Sequence, residues 1–244
     1  MDRSGTCAIG VMAKAPRPGY AKTRLCPPLS PDQAAALSAA FLRDITESIA
    51  LAAREVPVRG YVAYAPAGAE HLFDGCLAGG TGFVLADGSP SMPPEVQGFG
   101  RCLLHAAQTL FAAGFGAVCL LNADGPTLPT AFLVEATRAL SAPGQRVVLG
   151  PADDGGYYLI GMKWPYAHLF ADIAWSTGDV AAATYARAVA LGLDVVTLPS
   201  WYDVDDAASL ARLAVGDEPP AYEAPVTRAC LAGIGLDRLD IAAQ

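Results

Sequence analysis

The sequence predicts an α/β domain with a mostly parallel central sheet, covered by helices on both faces. Short apolar runs bounded by Gly, Pro or Asp alternate with amphipathic helical patterns along most of the chain. Those runs are almost continuously apolar, as strands buried on both faces are. No segment repeats, and residues 216–224 are the one linker-like stretch. A single domain over 1–244 is therefore expected, with 225–244 as a C-terminal helical extension.

Residues 6–13 form the first buried strand, stopped by Pro16, Pro18 and Gly19. Ser30-Pro31-Asp32-Gln33 reads as a capping box with proline at the first helical position. Leu37, Phe41, Ile45 and Ile49 then recur every four residues and give that helix one apolar face. Residues 58–65 are a second strand and 82–86 a shorter third. A helix over 99–113 ends at Gly114. Strand 117–122 and helix 130–141 follow. Strands 146–150 and 157–162 flank the turn-rich PADDGG. Ser176-Thr177-Gly178-Asp179 is expected to cap a helix reaching Leu191, before strand 194–198 and helices near 207–215 and 226–234. One sheet of six or seven strands accounts for this order.

Composition excludes several classes. Hydrophobic residues make up 53% of the 244, enough for a sizeable core and too many for a disordered chain. Charges, Gly or Pro interrupt every apolar run before the roughly 18 residues that a spanning helix needs, so no membrane span is expected. The N-terminus lacks a signal-peptide layout, and the six cysteines are scattered without a CxxC pair. Reduced core thiols in the cytoplasm are the reading. His71, His105 and His168 share no metal-ligand spacing. A net charge of −8 with 16 basic residues leaves no basic face for a nucleic acid.

In sheets of this kind, ligands bind beyond the carboxyl ends of the strands. That directs attention to the loops at 13–25, 87–98, 123–129 and 151–156. The first loop concentrates Lys14, Arg17, Lys22 and Arg24, and Gly19 permits close backbone approach. A cation about 4 Å from a phosphate charge gains roughly 4 kcal/mol at an effective dielectric of 20, so this loop suits a diphosphate despite the acidic whole. It is not a Walker A loop, because positions 16 and 21 hold Pro16 and Ala21. A GxGxxG fingerprint is also missing after strand one, which disfavours NAD.

Asp124 stands just beyond strand 117–122, before Gly125-Pro126, where a carboxylate points into the crevice. Mg²⁺ or Mn²⁺ prefers such oxygen ligands, with phosphate oxygens completing the shell. In Asp153-Asp154-Gly155-Gly156-Tyr157 the acids can bind metal, hold a sugar hydroxyl or act as base, while a plain hairpin turn would also use Asp-Gly. Asp203, close after the last strand, is a second metal-ligand candidate. Asp205 or Asp206 reads as a helix cap.

MAKAPRPGYAKTRL, Gln97-Gly98, LNADGPTLP, LGPADDGGYYLIG, Trp175-Ser176-Thr177 and DVDDAASL, in this order, resemble the DUF2064 group. The resemblance covers residues 7 to about 235. Members of that group are assigned as glycosyltransferases of the nucleotide-diphospho-sugar transferase superfamily, some linked to arsenosugar biosynthesis. More distantly, the first loop is similar to that of 2-phospholactate and molybdenum-cofactor guanylyltransferases. The resemblance implies a single-domain GT-A-like sandwich that binds a nucleotide with Mg²⁺ or Mn²⁺. By the same analogy Lys14, Gly19, Lys22, Arg24 and Gln97 contact nucleotide and phosphate, and Asp124 with Asp203 holds the metal. For sugar transfer, the catalytic candidate is Asp154, which would orient or deprotonate the acceptor, with Gly155, Gly156 and Tyr157 beside the sugar or acceptor. Residue 122 is Asn where a DxD-like setting would place an acid, which puts more weight on Asp203.

The expected reaction is sugar transfer from a nucleotide-diphospho-sugar to a small acceptor. The rivals are nucleotidyl transfer, guanylyltransferase-like, with pyrophosphate release from an NTP, and a non-catalytic nucleotide-binding module.

Overall fold

The first strand, β1 (Cys7–Met12), buries Ile9 and Val11 on one face and Ala8 on the other. Side chains alternate across a strand, so both faces of β1 must be covered, as at the middle of a sheet. The computed structural model, which describes residues 3–216 and 221–236, places it there. The sheet comprises β1, β2 (Val58–Tyr64), β3 (Gly82–Leu85), β4 (Ala117–Asn122), β5 (Arg146–Pro151), β6 (Tyr157–Met162) and β7 (Asp194–Thr197). Their order is β3-β2-β1-β4-β6-β5-β7. Only β6 runs against the rest, pairing antiparallel with both β4 and β5. PADDGG is therefore the turn of a β5–β6 hairpin, with a register shift at Gly150/Pro151.

One face of the sheet packs against α1 (Pro31–Ala52), α3 (Thr130–Ser141) and α5 (Ala207–Val215), and α6 (Pro225–Gly233) lies on α1. The other face packs against α2 (Phe99–Ala112) and α4 (Val180–Ala190). The expected stripe of α1 is buried, with Phe41 and Leu37 fully enclosed. Its capping box forms as the sequence predicts: the Gln33 amide donates to Ser30 Oγ at 3.2 Å, and the Ser30 amide to Gln33 Oε1 at 2.8 Å. The cap expected before α4 does not form. Thr177 Oγ1 donates instead to the Ala174 carbonyl at 2.8 Å, and Asp179 makes no side-chain cap bond. All six cysteines are free, with the Sγ atoms of Cys7 and Cys119 3.8 Å apart in the core. Of the expected linker and extension, residues 217–220 and 237–244 lie outside the described residues.

Asp44 is fully buried on α1, beside the apolar stripe. It accepts from the backbone amides of Val226 at 3.2 Å and Thr227 at 2.6 Å, at the amino end of α6, where a carboxylate meets both unpaired N–H groups and the positive helix end. The segment ahead of α6 in turn reaches the β4 loop, where the Tyr222 amide donates to the Thr127 carbonyl at 3.0 Å. Asp44→Ala is expected to cost about 3 kcal/mol, because two backbone donors, that of Thr227 buried and that of Val226 partly so, lose a charged acceptor. Hydrogen exchange should show amides 225–233 losing protection; unchanged protection there would contradict the anchoring role.

Candidate functional site

The carboxyl ends of β1, β4, β5 and β7 and the start of β6 share one edge of the sheet. Short connections from these ends bring the acids together. The Val204 amide donates to the Asp124 carbonyl at 2.9 Å, which ties the β7 loop to the β4 loop. An Ala152–Trp201 bridge ties the hairpin turn to the same segment. Asp203 consequently lies within electrostatic range of Asp124, Asp205 and Asp154.

Asn122 explains part of this closeness. Its Nδ2 donates to Asp203 Oδ1 at 2.6 Å, so position 122 offers a donor where a carboxylate would add repulsion. Burial, the largest cause, together with the three neighbouring acids lifts Asp203 from 3.8 to about 7, against the stabilising Asn122 bond. Asp124 is also raised, chiefly by burial and further by Asp205, despite the Lys22 and Lys14 ammoniums that favour its charged form.

The sign of the pH dependence follows. Between about 4 and about 7 the folded chain keeps a proton on Asp203 that the unfolded chain has released, so stability falls as pH rises through that window. Melts in chelator should show the midpoint falling from about pH 5 to about pH 8, and Asp203→Asn should flatten the fall. An identical slope in the variant would remove Asp203 as its source.

The first loop contributes less uniformly than its composition implies. Gly19 has φ 75°, and a Cβ there would meet no atom within 4 Å, so its outer face is open to a ligand. Lys14 is exposed, with its charge directed at Asp124. Arg17 lies over the Tyr20 ring at 4.4 Å. Arg24 is exposed, with its charge acting on Asp206. Lys22 turns inward: its backbone is left-handed at φ 50°, its side chain is 6% exposed, and its ammonium pairs with Asp124 and Asp205.

Asp154 is exposed at the hairpin turn, where its Oδ1 accepts from the Gly156 amide at 2.8 Å. Gly155, at φ 88°, packs flat on the Gly178 backbone, and its carbonyl accepts from the Ala181 amide at 3.0 Å, which joins the turn to the start of α4. Tyr157 does not present its hydroxyl at this edge. The phenol is buried toward Thr184 of α4, and burial pushes its pKa up. Gln97 turns its amide back to the Pro94 carbonyl at 3.1 Å, while its own carbonyl accepts from the Trp175 indole at 3.0 Å. That indole lies against the Gly98 and Gly100 backbone and edge-on to Phe99, which is 47% exposed. Asp206 caps α5, as its position predicts. Asp205, the other cap candidate, stands in the acid cluster. Asp203 and Asp205 flank the fully buried Val204, and both reach the cluster, Asp203 at the Asn122 amide and Asp205 at the Lys22 ammonium.

Among the described residues, no three His, Cys, Asp or Glu side chains converge tightly enough to cage an ion by themselves. Asp124 and Asp203 nevertheless fit one of the Mg²⁺ type, which takes one or two carboxylates and completes its shell with phosphate oxygens and water. One buried ammonium, that of Lys22, is shared between Asp124 and Asp205, while Asp203 has the neutral Asn122 amide as its partner, so the carboxylates here outnumber the cation that pairs with them. Among the described residues, no helix is long and apolar enough to cross a membrane.

The architecture is that of nucleotide-diphospho-sugar transferases. A provisionally assigned nucleotide-diphospho-sugar transferase from Desulfovibrio desulfuricans G20 superposes with a TM-score of 0.79 at 27% identity, over 96% of both chains. The CMP:2-keto-3-deoxy-manno-octonic acid synthetase complexed with CTP shares the fold, with a TM-score of 0.51 at 11% identity over 85% of this chain and 96% of that one. No curated protein matches the sequence. The family profile described as "Uncharacterized protein conserved in bacteria (DUF2064)" matches residues 48–177, which include Asp124 and the β5–β6 turn. That match takes in more than half of the chain, which therefore belongs to the DUF2064 family.

Proposed function

We propose that the chain is a glycosyltransferase that takes a nucleotide-diphospho-sugar and passes the sugar to a small acceptor, with Mg²⁺ or Mn²⁺. The observation that carries this reading is the meeting of Asp124, Asp203 and Asp154 at the carboxyl edge of the sheet, with the charge of the exposed Lys14 acting on Asp124. The likeness to the D. desulfuricans protein supports the donor class.

In this reading Lys14, Arg24 and the Gly19 backbone face the diphosphate, and Asp124 with Asp203 would hold the cation. When bound, that cation supplies positive charge against which the leaving nucleoside diphosphate develops its own. Asp154, anchored through Oδ1 to the Gly156 amide, retains a second oxygen to orient or deprotonate an acceptor hydroxyl. The hairpin holds that carboxylate in place, because Gly155 is locked between Gly178 and Ala181.

A turnover assay separates the readings. Incubation with nucleotide-sugars, Mn²⁺ and a set of small hydroxylated acceptors should release nucleoside diphosphate. Pyrophosphate release from an NTP, without diphosphate release from any nucleotide-sugar, would replace glycosyl by nucleotidyl transfer. Nucleotide binding with neither product would reduce the chain to a binding module.

A further inference from the structure

Lys22 was expected to contact phosphate, and its ammonium is already engaged by oxygens of the protein. All three ammonium hydrogens have protein oxygens to meet. Nζ donates to the Val204 carbonyl at 2.7 Å and to Asp205 Oδ1 at 3.0 Å, and it pairs with Asp124 Oδ1. The Phe41 ring lies 5.3 Å from the same nitrogen, centroid to Nζ, and adds a cation–π contact. The left-handed backbone at φ 50° is a costly conformation for a lysine, and it sends the side chain into the sheet edge, where 6% of it remains exposed. Burying a charge is favourable only where it is paired and hydrogen-bonded, and here it is both.

We infer that Lys22 is the resident cation of the acid cluster and competes with a divalent cation for Asp124. This rests on the reading that Asp124 and Asp203 hold that cation. A carboxylate oxygen already engaged by an ammonium is a poorer metal ligand, and a second positive charge close by repels the ion. Metal affinity without nucleotide is thereby kept low. An incoming diphosphate offers Lys22 another anionic partner within the same loop, so nucleotide binding frees Asp124 and raises metal affinity. By linkage, metal raises nucleotide affinity to the same extent. Lys22 is thus a positioning residue that couples the two ligands.

The direction of one effect distinguishes this from the alternatives. Lys22→Met keeps the length of the stem and removes the charge. Competition requires that the variant bind Mn²⁺ without nucleotide more tightly than wild type, by roughly tenfold. A staple that merely holds the β4 and β7 loops together would, when lost, weaken Mn²⁺ binding. A plain phosphate ligand would leave nucleotide-free Mn²⁺ binding unchanged and weaken UDP alone. Lys22→Arg retains the charge and should stay near wild type.

Because Lys22→Met can fail to fold, wild type provides a second readout. Reductive methylation followed by peptide mass mapping should show Lys22 protected in chelator and modified several-fold faster with Mn²⁺. Tighter Mn²⁺ binding in the variant, or metal-dependent labelling of Lys22, supports the inference. If wild type binds Mn²⁺ and UDP together but neither effect is seen, the inference falls and the functional reading stands. If wild type binds no Mn²⁺ even with UDP, both fall.

Discussion

Asp124→Ala is expected to abolish Mn²⁺-dependent nucleotide binding, lowering affinity for UDP with Mn²⁺ by at least about 100-fold, or about 2.7 kcal/mol. Three features place this effect at Asp124. It stands directly beyond a central strand of the sheet, it shares the electrostatic field of Asp203, and it is the carboxylate at which Lys22 and Lys14 both act. Removing it leaves Asp203 alone of the two proposed metal ligands and releases Lys22 from one of its partners. The loss should therefore appear in metal-dependent binding well before it appears in the far-ultraviolet spectrum. Calorimetric titration with UDP and Mn²⁺ measures it, and an unchanged isotherm would remove Asp124 from the site.

The largest effect on stability is expected at Gly155. A Cβ there would lie 2.0 Å from the Gly178 carbonyl oxygen, a backbone atom that cannot swing away, and φ is 88°. The left-handed conformation alone costs an L-residue roughly 1–2 kcal/mol. With the forced separation of the hairpin from α4, Gly155→Ala should lose about 3 kcal/mol or more. For a chain of this size that lowers the melting midpoint by about 6–12 °C. Gly19→Ala is the matched control, because Gly19 also has positive φ but open space around it. It should lose no more than about 1–2 kcal/mol. Equal losses in the two variants would show that the contact with Gly178 does not matter. The same displacement would move Asp154, so Gly155→Ala should lose turnover as well as stability.

The order of elements was legible because each carries its own local signal. The Ser30 box, the stripe from Leu37 to Ile49 and the apolar β1 depend on neighbours in sequence, and all three form as expected. The place of Asp124 was legible for a related reason: a carboxylate just past a strand end has one edge of the sheet to face, whereas Asp203 lies six residues beyond β7 and is brought to that edge by the bond from the Val204 amide to the Asp124 carbonyl. What the sequence did not disclose depends on contacts between distant segments. Strand order and the antiparallel course of β6 are properties of the assembled sheet. Lys22 reads as one of four loop cations available to a phosphate, and its pairing with acids from two other loops becomes visible only in the folded chain. Asp44 has the pattern of any helical acid, and its partners lie 182 and 183 residues away. Tyr157 follows the glycines of the turn, but as the first residue of β6 it directs its phenol toward Thr184. Thr177 was expected to cap α4, but the turn at Ser176, with φ 64°, directs its hydroxyl back to Ala174.

The central claim is that this sheet edge holds an activated nucleotide together with a divalent cation. Thermal-shift measurement of the wild-type chain with nucleotide-sugars and NTPs, each with and without Mn²⁺, tests it most directly. A ligand at 100 times its dissociation constant stabilises the folded state by about 2.7 kcal/mol, which raises the midpoint by about 5–10 °C in a chain of this length. The expected result is a rise of that order when nucleotide and Mn²⁺ are present together, and a much smaller one with either alone. A midpoint unmoved by every nucleotide, with or without Mn²⁺, would contradict the claim.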